Sequence, residues 1–81
     1  MIELYMLETC PYCKKVLNYL NENNFKYITH NIKDKNKHDK LIELGGKEQV
    51  PFLYDNVKNI KMYESDDIIA YLKSLKGHEN E

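Results

Sequence analysis

Apolar positions in this chain fall into short blocks whose spacing changes from one block to the next. Ile2 to Leu7 is an almost unbroken apolar run with Glu3 as its one charge, the pattern of a strand buried on both faces. Cys13, Val16, Leu17 and Leu20 then recur at helical spacing, while Lys14, Lys15, Asn18 and Asn21 fall elsewhere. They predict a helix from Pro11 to about Asn23, closed by an asparagine in the left-handed conformation at Asn23-Asn24. Tyr27 to Ile32 alternates, Tyr27 and Thr29 against Ile28, His30 and Ile32, and reads as a second strand. Lys33 to Asp39 is very polar and reads as a loop leading into a second helix around Leu41, Ile42 and Leu44, which Gly45-Gly46 stops. Val50 to Tyr54 is a third strand, with Pro51 tolerated only at its start. Asp55-Asn56 is a turn and Ile60 to Tyr63 a fourth strand. Ser65 is placed as the N-cap of a last helix, with Asp66 and Asp67 in its first turn and Ile68, Ile69, Leu72 and Leu75 as its buried face. Lys73 and Lys76 fall near its end, Gly77 is its expected stop, and His78 to Glu81 are expected to fray.

The order is therefore βαβαββα, an α/β chain read as a single domain over residues 1–81. The first βαβ unit implies two parallel strands joined by a right-handed crossover. The last two strands read as an antiparallel hairpin on the same sheet.

Composition narrows the class. With 81 residues, 42% hydrophobic and 31% charged, the chain suits a soluble globular unit near the lower size limit for an unaided core, and not a disordered one. A net charge of -1 gives no general electrostatic basis for binding nucleic acid or a membrane surface. No apolar stretch is long enough to span a bilayer, and Met1-Ile2-Glu3-Leu4 lacks the basic start of a signal peptide. A cytoplasmic monomer is expected. All twelve basic residues are lysines. A bound carboxylate must therefore be met by lysine, histidine or backbone amides, without the bidentate guanidinium fork. Seven tyrosines and no tryptophan read as core and sheet packing, with Tyr5 under or beside the site described next.

The chemistry concentrates in Thr9-Cys10-Pro11-Tyr12-Cys13, which holds both cysteines of the chain. Pro11 suits the first helical position, where its missing N–H has no partner to lose. Cys10 then falls at the N-cap and Cys13 at the third helical position. Unpaired first-turn amides point at the Cys10 sulfur and the helix dipole favours negative charge there. A thiolate is the nucleophile of disulfide exchange, so Cys10 is the expected nucleophile. In a reducing compartment such a pair is more often catalytic or metal-binding than a structural staple, and so short a loop stabilises little by entropy. Zinc needs about four ligands. There is no second cysteine pair, and His30, His38 and His78 lie on separate segments, so no metal is expected.

Over nearly its whole length the sequence resembles a dithiol glutaredoxin. The resemblance rests on Tyr5, on Glu8-Thr9-Cys10-Pro11-Tyr12-Cys13, on Val50-Pro51 opening the third strand, and on Ser65-Asp66-Asp67-Ile68 at the last helix. It implies a thioredoxin-like fold, a four-stranded mixed β-sheet with three helices. It also implies glutathione as reducing co-substrate, no bound cofactor, and disulfide-containing or glutathionylated proteins as partners. Under it, Cys10 corresponds to the nucleophile and Cys13 to the resolving cysteine, supported by Thr9 and Pro11. Val50 corresponds to the residue whose backbone pairs with the cysteinyl part of glutathione and Pro51 to a cis-proline beside the dithiol; Tyr12, read as a rim residue shielding the sulfurs, is expected among the glutathione-binding residues. Ser65 and Asp66 correspond to the residues that receive the γ-glutamyl end, and His38 and Lys47 fall near positions that contact the glycyl carboxylate. Two positions depart from the family. Leu7 stands where many glutaredoxins carry lysine, and Tyr63-Glu64 where many carry a glycine pair; Glu64-Ser65 looks more like the corresponding corner of glutathione transferases.

The activity implied is reduction of protein disulfides and protein–glutathione mixed disulfides by thiol–disulfide exchange. Three alternatives are a redoxin of the same fold reduced by a flavin-dependent thioredoxin reductase, a glutathione-ligated iron–sulfur carrier, and a glutathione-transferase N-terminal module. The third ranks last on the expectation that no helical second domain follows residue 81.

Overall fold

A computed structural model describes residues 1–79. Its elements are β1 (Ile2–Met6), α1 (Pro11–Glu22), β2 (Tyr27–Asn31), α2 (Lys35–Gly45), β3 (Phe52–Asp55), β4 (Ile60–Met62) and α3 (Ser65–Glu79). The four strands form one mixed sheet in the order β2-β1-β3-β4. β1 runs parallel to β2, in register from Ile2 opposite Tyr27 to Met6 opposite Asn31, and antiparallel to β3, with Leu4 opposite Leu53. β3 and β4 close the antiparallel hairpin. This is the thioredoxin-like architecture.

The sheet is covered on both faces, which is why β1 reads as an apolar run. Alternation along β1 divides the core in two. Leu4 and Met6 join Cys13, Val16, Leu20, Leu53, Ile68 and Leu72 beneath α1 and α3. Tyr5 points the other way and packs with Leu41 and Phe52 beneath α2. Tyr5 therefore lies on the sheet face opposite Cys13, away from the dithiol.

The helices differ from expectation at their ends. α2 begins at Lys35, within the stretch read as a loop, because Asp34 caps it: its Oδ1 accepts the Asn36 N–H at 2.9 Å. The helix buries only Leu41 completely, too few apolar positions for a periodic signal. Lys35 and Asp39, one turn apart, are paired at 2.8 Å on its exposed face. Gly45 belongs to α2, and Gly46 ends it with φ 84° and its N–H on the Ile42 carbonyl at 2.8 Å. At the end of α1 the left-handed residue is Asn24, φ 58°. α3 starts at Ser65 as its first helical residue, not its cap: the Glu64 carbonyl accepts the Ile68 N–H at 3.0 Å. α3 continues through Gly77 to Glu79, so that glycine is not its stop; of the fraying expected over His78 to Glu81, residues 78 and 79 are helical instead, and 80 and 81 lie outside the described residues.

One buried polar group supports the end of the sheet remote from the cysteines. Asp55 is 4% exposed. Its Oδ2 accepts the Tyr71 hydroxyl at 2.6 Å and its Oδ1 accepts the Val57 and Lys58 amides. Burial pushes the Asp55 carboxyl up, but the Tyr71 hydroxyl and the two amides outweigh it and hold the pKa below the ordinary 3.8. A depressed folded-state pKa stabilises fully above the unfolded value and is lost as pH falls through the folded one. Tyr71→Phe is expected to cost about 1.5–3 kcal/mol at neutral pH. The difference from the parent protein should shrink in acid, below about pH 3.8, as Asp55 protonates. Urea titrations across that range check it; a pH-independent difference would assign the loss to packing.

Candidate functional site

The two cysteines sit where the central strand turns into α1. After β1 ends at Met6 the chain turns tightly, with the Cys10 N–H on the Leu7 carbonyl at 3.2 Å. Cys10 has the extended conformation of an N-cap, φ -82° and ψ 115°, and Pro11 occupies the first helical position. The Cys10 carbonyl accepts the Lys14 N–H at 3.1 Å, which begins the helical ladder. The Cys10 Sγ accepts the Cys13 backbone N–H at 3.3 Å, the orphan-donor contact that the proline spacing predicts.

The two thiols are unequal. Both are free in this structure; Cys10 is half-buried, and Cys13 is 0% exposed within the core. Burial pushes the Cys13 thiol up to about 12, the hydrogen bond with Cys10 adds to the rise, and the Leu7 backbone opposes it. Cys13 is therefore a protonated thiol at neutral pH, while Cys10 is the less buried of the two.

Beside the dithiol lies a cleft of about 200 Å³ lined by Tyr12, Val50, Pro51, Glu64, Ser65 and Asp66. Five of these six are residues singled out from the sequence. The Val50-Pro51 bond is cis, as expected, and Val50 precedes the ladder of β3. Tyr12, 63% exposed, stands at the rim. Asp66 is paired with Lys15 of α1, Nζ to Oδ1 2.8 Å, which holds its carboxyl below the usual range. Thr9 is exposed in the turn before α1.

Glu64 and its support are what the sequence reading left out of the site. Glu64 has φ 67°, uncommon for a residue with a side chain. Its carboxylate accepts the Gln49 side-chain N–H at 3.1 Å. The available signal was the absent glycine pair: a non-glycine residue had to take up the turn into α3. Lys15, the partner of Asp66, carried no signal, since α1 and α3 meet only through the fold.

His38 and Lys47 do not join the cleft lining. His38 is engaged by Glu48 through Nε2 and lies 3.5 Å from Asp39 through Nδ1. The Glu48 contact raises its pKa, desolvation opposes the rise, and Asp39 adds to it. The Lys47 backbone is held at both ends by the Tyr63 hydroxyl, which accepts its N–H at 3.1 Å and donates to its carbonyl at 2.8 Å. The Lys47 ammonium sits 5.6 Å from the Tyr63 ring centre. Both residues thus lie toward α2 with partners of their own.

A larger open depression, about 540 Å³, lies at the other end of the sheet between Phe25, Val57 and Leu75, and shares no residue with the cleft or the dithiol. Among the described residues, no group of three or more His, Cys, Asp or Glu could hold a metal ion. No helix among them is long and apolar enough to cross a membrane.

Residues 4–80 match the family model described as "Glutathione S-transferase, N-terminal domain". The chain belongs to that family. It is also 33% identical over 54 residues to an uncharacterized glutaredoxin-like 8.6 kDa protein in the rubredoxin operon of Clostridium pasteurianum, covering 65% of this chain and 72% of that protein. Among solved structures it resembles a glutathione S-transferase from the Antarctic clam Laternula elliptica, with TM-score 0.79 and 29% identity, over 94% of this chain and 35% of that one. It resembles Ure2p in complex with glutathione at TM-score 0.81 and 26% identity, over 96% of this chain and 34% of that one. The thioredoxin-like protein BC3987 has the same fold over nearly the full length of both chains, TM-score 0.79 at 24% identity. The chain spans about a third of the length of the transferase and Ure2p chains it matches. The transferase-domain match brings forward the module ranked last from the sequence. Together these relatives make the chain a thioredoxin-like protein of glutaredoxin type.

Proposed function

We propose that this protein is a glutathione-dependent thiol–disulfide oxidoreductase working through the Cys10/Cys13 dithiol. The observation that carries this is the unequal pair: a half-buried Cys10 sulfur accepting a helix-start amide, one turn from a buried Cys13 thiol. The Cys10 thiolate attacks one sulfur of a protein disulfide or of a protein–glutathione mixed disulfide. A Cys10–substrate disulfide forms and the other sulfur leaves as a thiolate that takes up a proton. In the dithiol route Cys13 gives up its proton and attacks Cys10, releasing the reduced substrate and leaving a Cys10–Cys13 disulfide. Two glutathione molecules restore the dithiol through a Cys10–glutathione adduct and become oxidised glutathione, so thiols and electrons balance. Glutathione is proposed to lie in the cleft, its cysteinyl backbone against Val50 and its γ-glutamyl end at Ser65 and Asp66. No bound cofactor is required.

The deciding measurement is reduction of a small glutathione mixed disulfide with glutathione and a flavin-dependent thioredoxin reductase supplied in turn. Turnover with glutathione is expected. Turnover only with the flavin reductase would transfer the protein to the redoxin alternative.

A second reading is favoured by the family match: a glutathione-binding module in which Cys10 serves conjugation of an electrophile. Product analysis separates the two, since conjugation yields a thioether and exchange yields free thiol.

A further inference from the structure

The Lys15–Asp66 ion pair connects the helix that carries the dithiol to the helix that walls the cleft. Lys15 follows Cys13 by two positions on α1, and Asp66 lies in the first turn of α3. Their side chains are 55% and 85% exposed, so the pair contributes little to the fold and opens at little cost. The two residues expected to meet the glycyl carboxylate lie outside the cleft lining: His38 is committed to Glu48, and Lys47 stands over Tyr63. Glu64 is engaged by Gln49, and among the described residues Lys15 is the lysine paired with a carboxylate of the cleft wall.

Resting on the glutathione reading above, we propose that Lys15 is a specificity-determining residue for the γ-glutamyl end of the substrate. The ligand's zwitterion replaces the ion pair. Its ammonium takes Asp66, and its α-carboxylate takes the released Lys15 together with the first-turn amides of α3. An amino-acid group is charge-matched to this exchange, because each partner loses one counterion and gains another. A ligand with the ammonium but a blocked carboxylate must displace Lys15 and gives it nothing in return. A ligand with the carboxylate alone meets a lysine already held by Asp66, beside a second carboxylate on Glu64. Discrimination between these ligands and glutathione thus depends on a residue that does not line the cleft in the free protein.

The test compares 2-hydroxyethyl mixed disulfides of glutathione and of glutathione amidated at the γ-glutamyl α-carboxylate, using the parent protein, Lys15→Met and Lys15→Arg. The parent is expected to prefer the free carboxylate. In Lys15→Met the ratio of kcat/KM values should fall about two- to fivefold, the range an exposed charge pair supports. The change should be carried in KM rather than kcat, and Lys15→Arg should restore it. An unchanged ratio in Lys15→Met, with the parent active, would overturn the role of Lys15 alone. No turnover of either disulfide by the parent would instead overturn the glutathione reading, and this inference with it.

Discussion

Cys10→Ser is expected to reduce disulfide exchange to the uncatalysed background, while Cys13→Ser keeps turnover of glutathione mixed disulfides and loses dithiol reduction of protein disulfides. The asymmetry follows from where α1 places each sulfur. Cys10 is the N-cap, half-buried, with its Sγ on the Cys13 amide at 3.3 Å. Serine there preserves the cap but supplies no thiolate, so neither route can begin. Cys13 is fully buried, and burial first among its causes lifts its thiol to about 12. At neutral pH it is a poor first nucleophile, yet it lies beside Cys10 and can attack once a mixed disulfide has formed there. A buried hydroxyl at position 13 costs about 1–3 kcal/mol where its hydrogen bonds are incomplete, so Cys13→Ala serves as the second variant if serine destabilises. The measurement is turnover of a glutathione mixed disulfide and of a protein disulfide by all three variants. Activity surviving in Cys10→Ser and vanishing in Cys13→Ser would reverse the assignment.

Gly45→Ala is expected to destabilise the protein by about 1–2 kcal/mol, although alanine is the better helix former. Even in a helix interior the exchange gains only roughly 0.5–1 kcal/mol, and Gly45 is the last residue of α2. Here, however, a Cβ would collide with the Tyr63 Oη and stand 2.8 Å from its Cζ and 3.0 Å from Phe52 Cε1. Tyr63 cannot retreat freely. Its hydroxyl bridges the Lys47 N–H and carbonyl, and its ring lies 4.7 Å from that of Phe52. Overpacking of this kind costs about 1–3 kcal/mol, so the steric term outweighs the propensity gain. For a domain of this size the melting temperature should fall roughly 4–16 °C. Removing the hydroxyl with Tyr63→Phe relieves the worst contact, so Gly45→Ala should cost less in that background, with a coupling of at least about 0.5 kcal/mol. Strict additivity in a double-mutant cycle would mean that the clash is absorbed elsewhere. The effect should also reach the cleft, because Tyr63 precedes Glu64 and the Lys47 segment leads into Val50. A rise in KM for glutathione disulfides accompanying the lost stability would bear this out.

The sequence by itself determined the order of elements and the seat of the dithiol, because each rests on local physics; the pairing of β1 with β3 was decided by the tertiary structure. Apolar runs specify strands and helical spacing specifies α1, while Pro11 after Cys10 sets the first helical turn. It missed the first turn of α2, which depends on the Asp34 cap and an exposed ion pair instead of an apolar stripe. The tertiary structure decided what distant segments do to one another. It gathered Tyr12, Val50, Pro51, Ser65 and Asp66 around one cleft. It drew His38 to Glu48 and Lys47 to Tyr63, away from that cleft, because nearer partners satisfied them. It also set Lys15 against Asp66, 51 positions apart, through packing of α1 on α3. The physical reason is range. Caps, turns and periodicity are read within a few residues, whereas the partner of an exposed charge is settled only by which surfaces the core brings together.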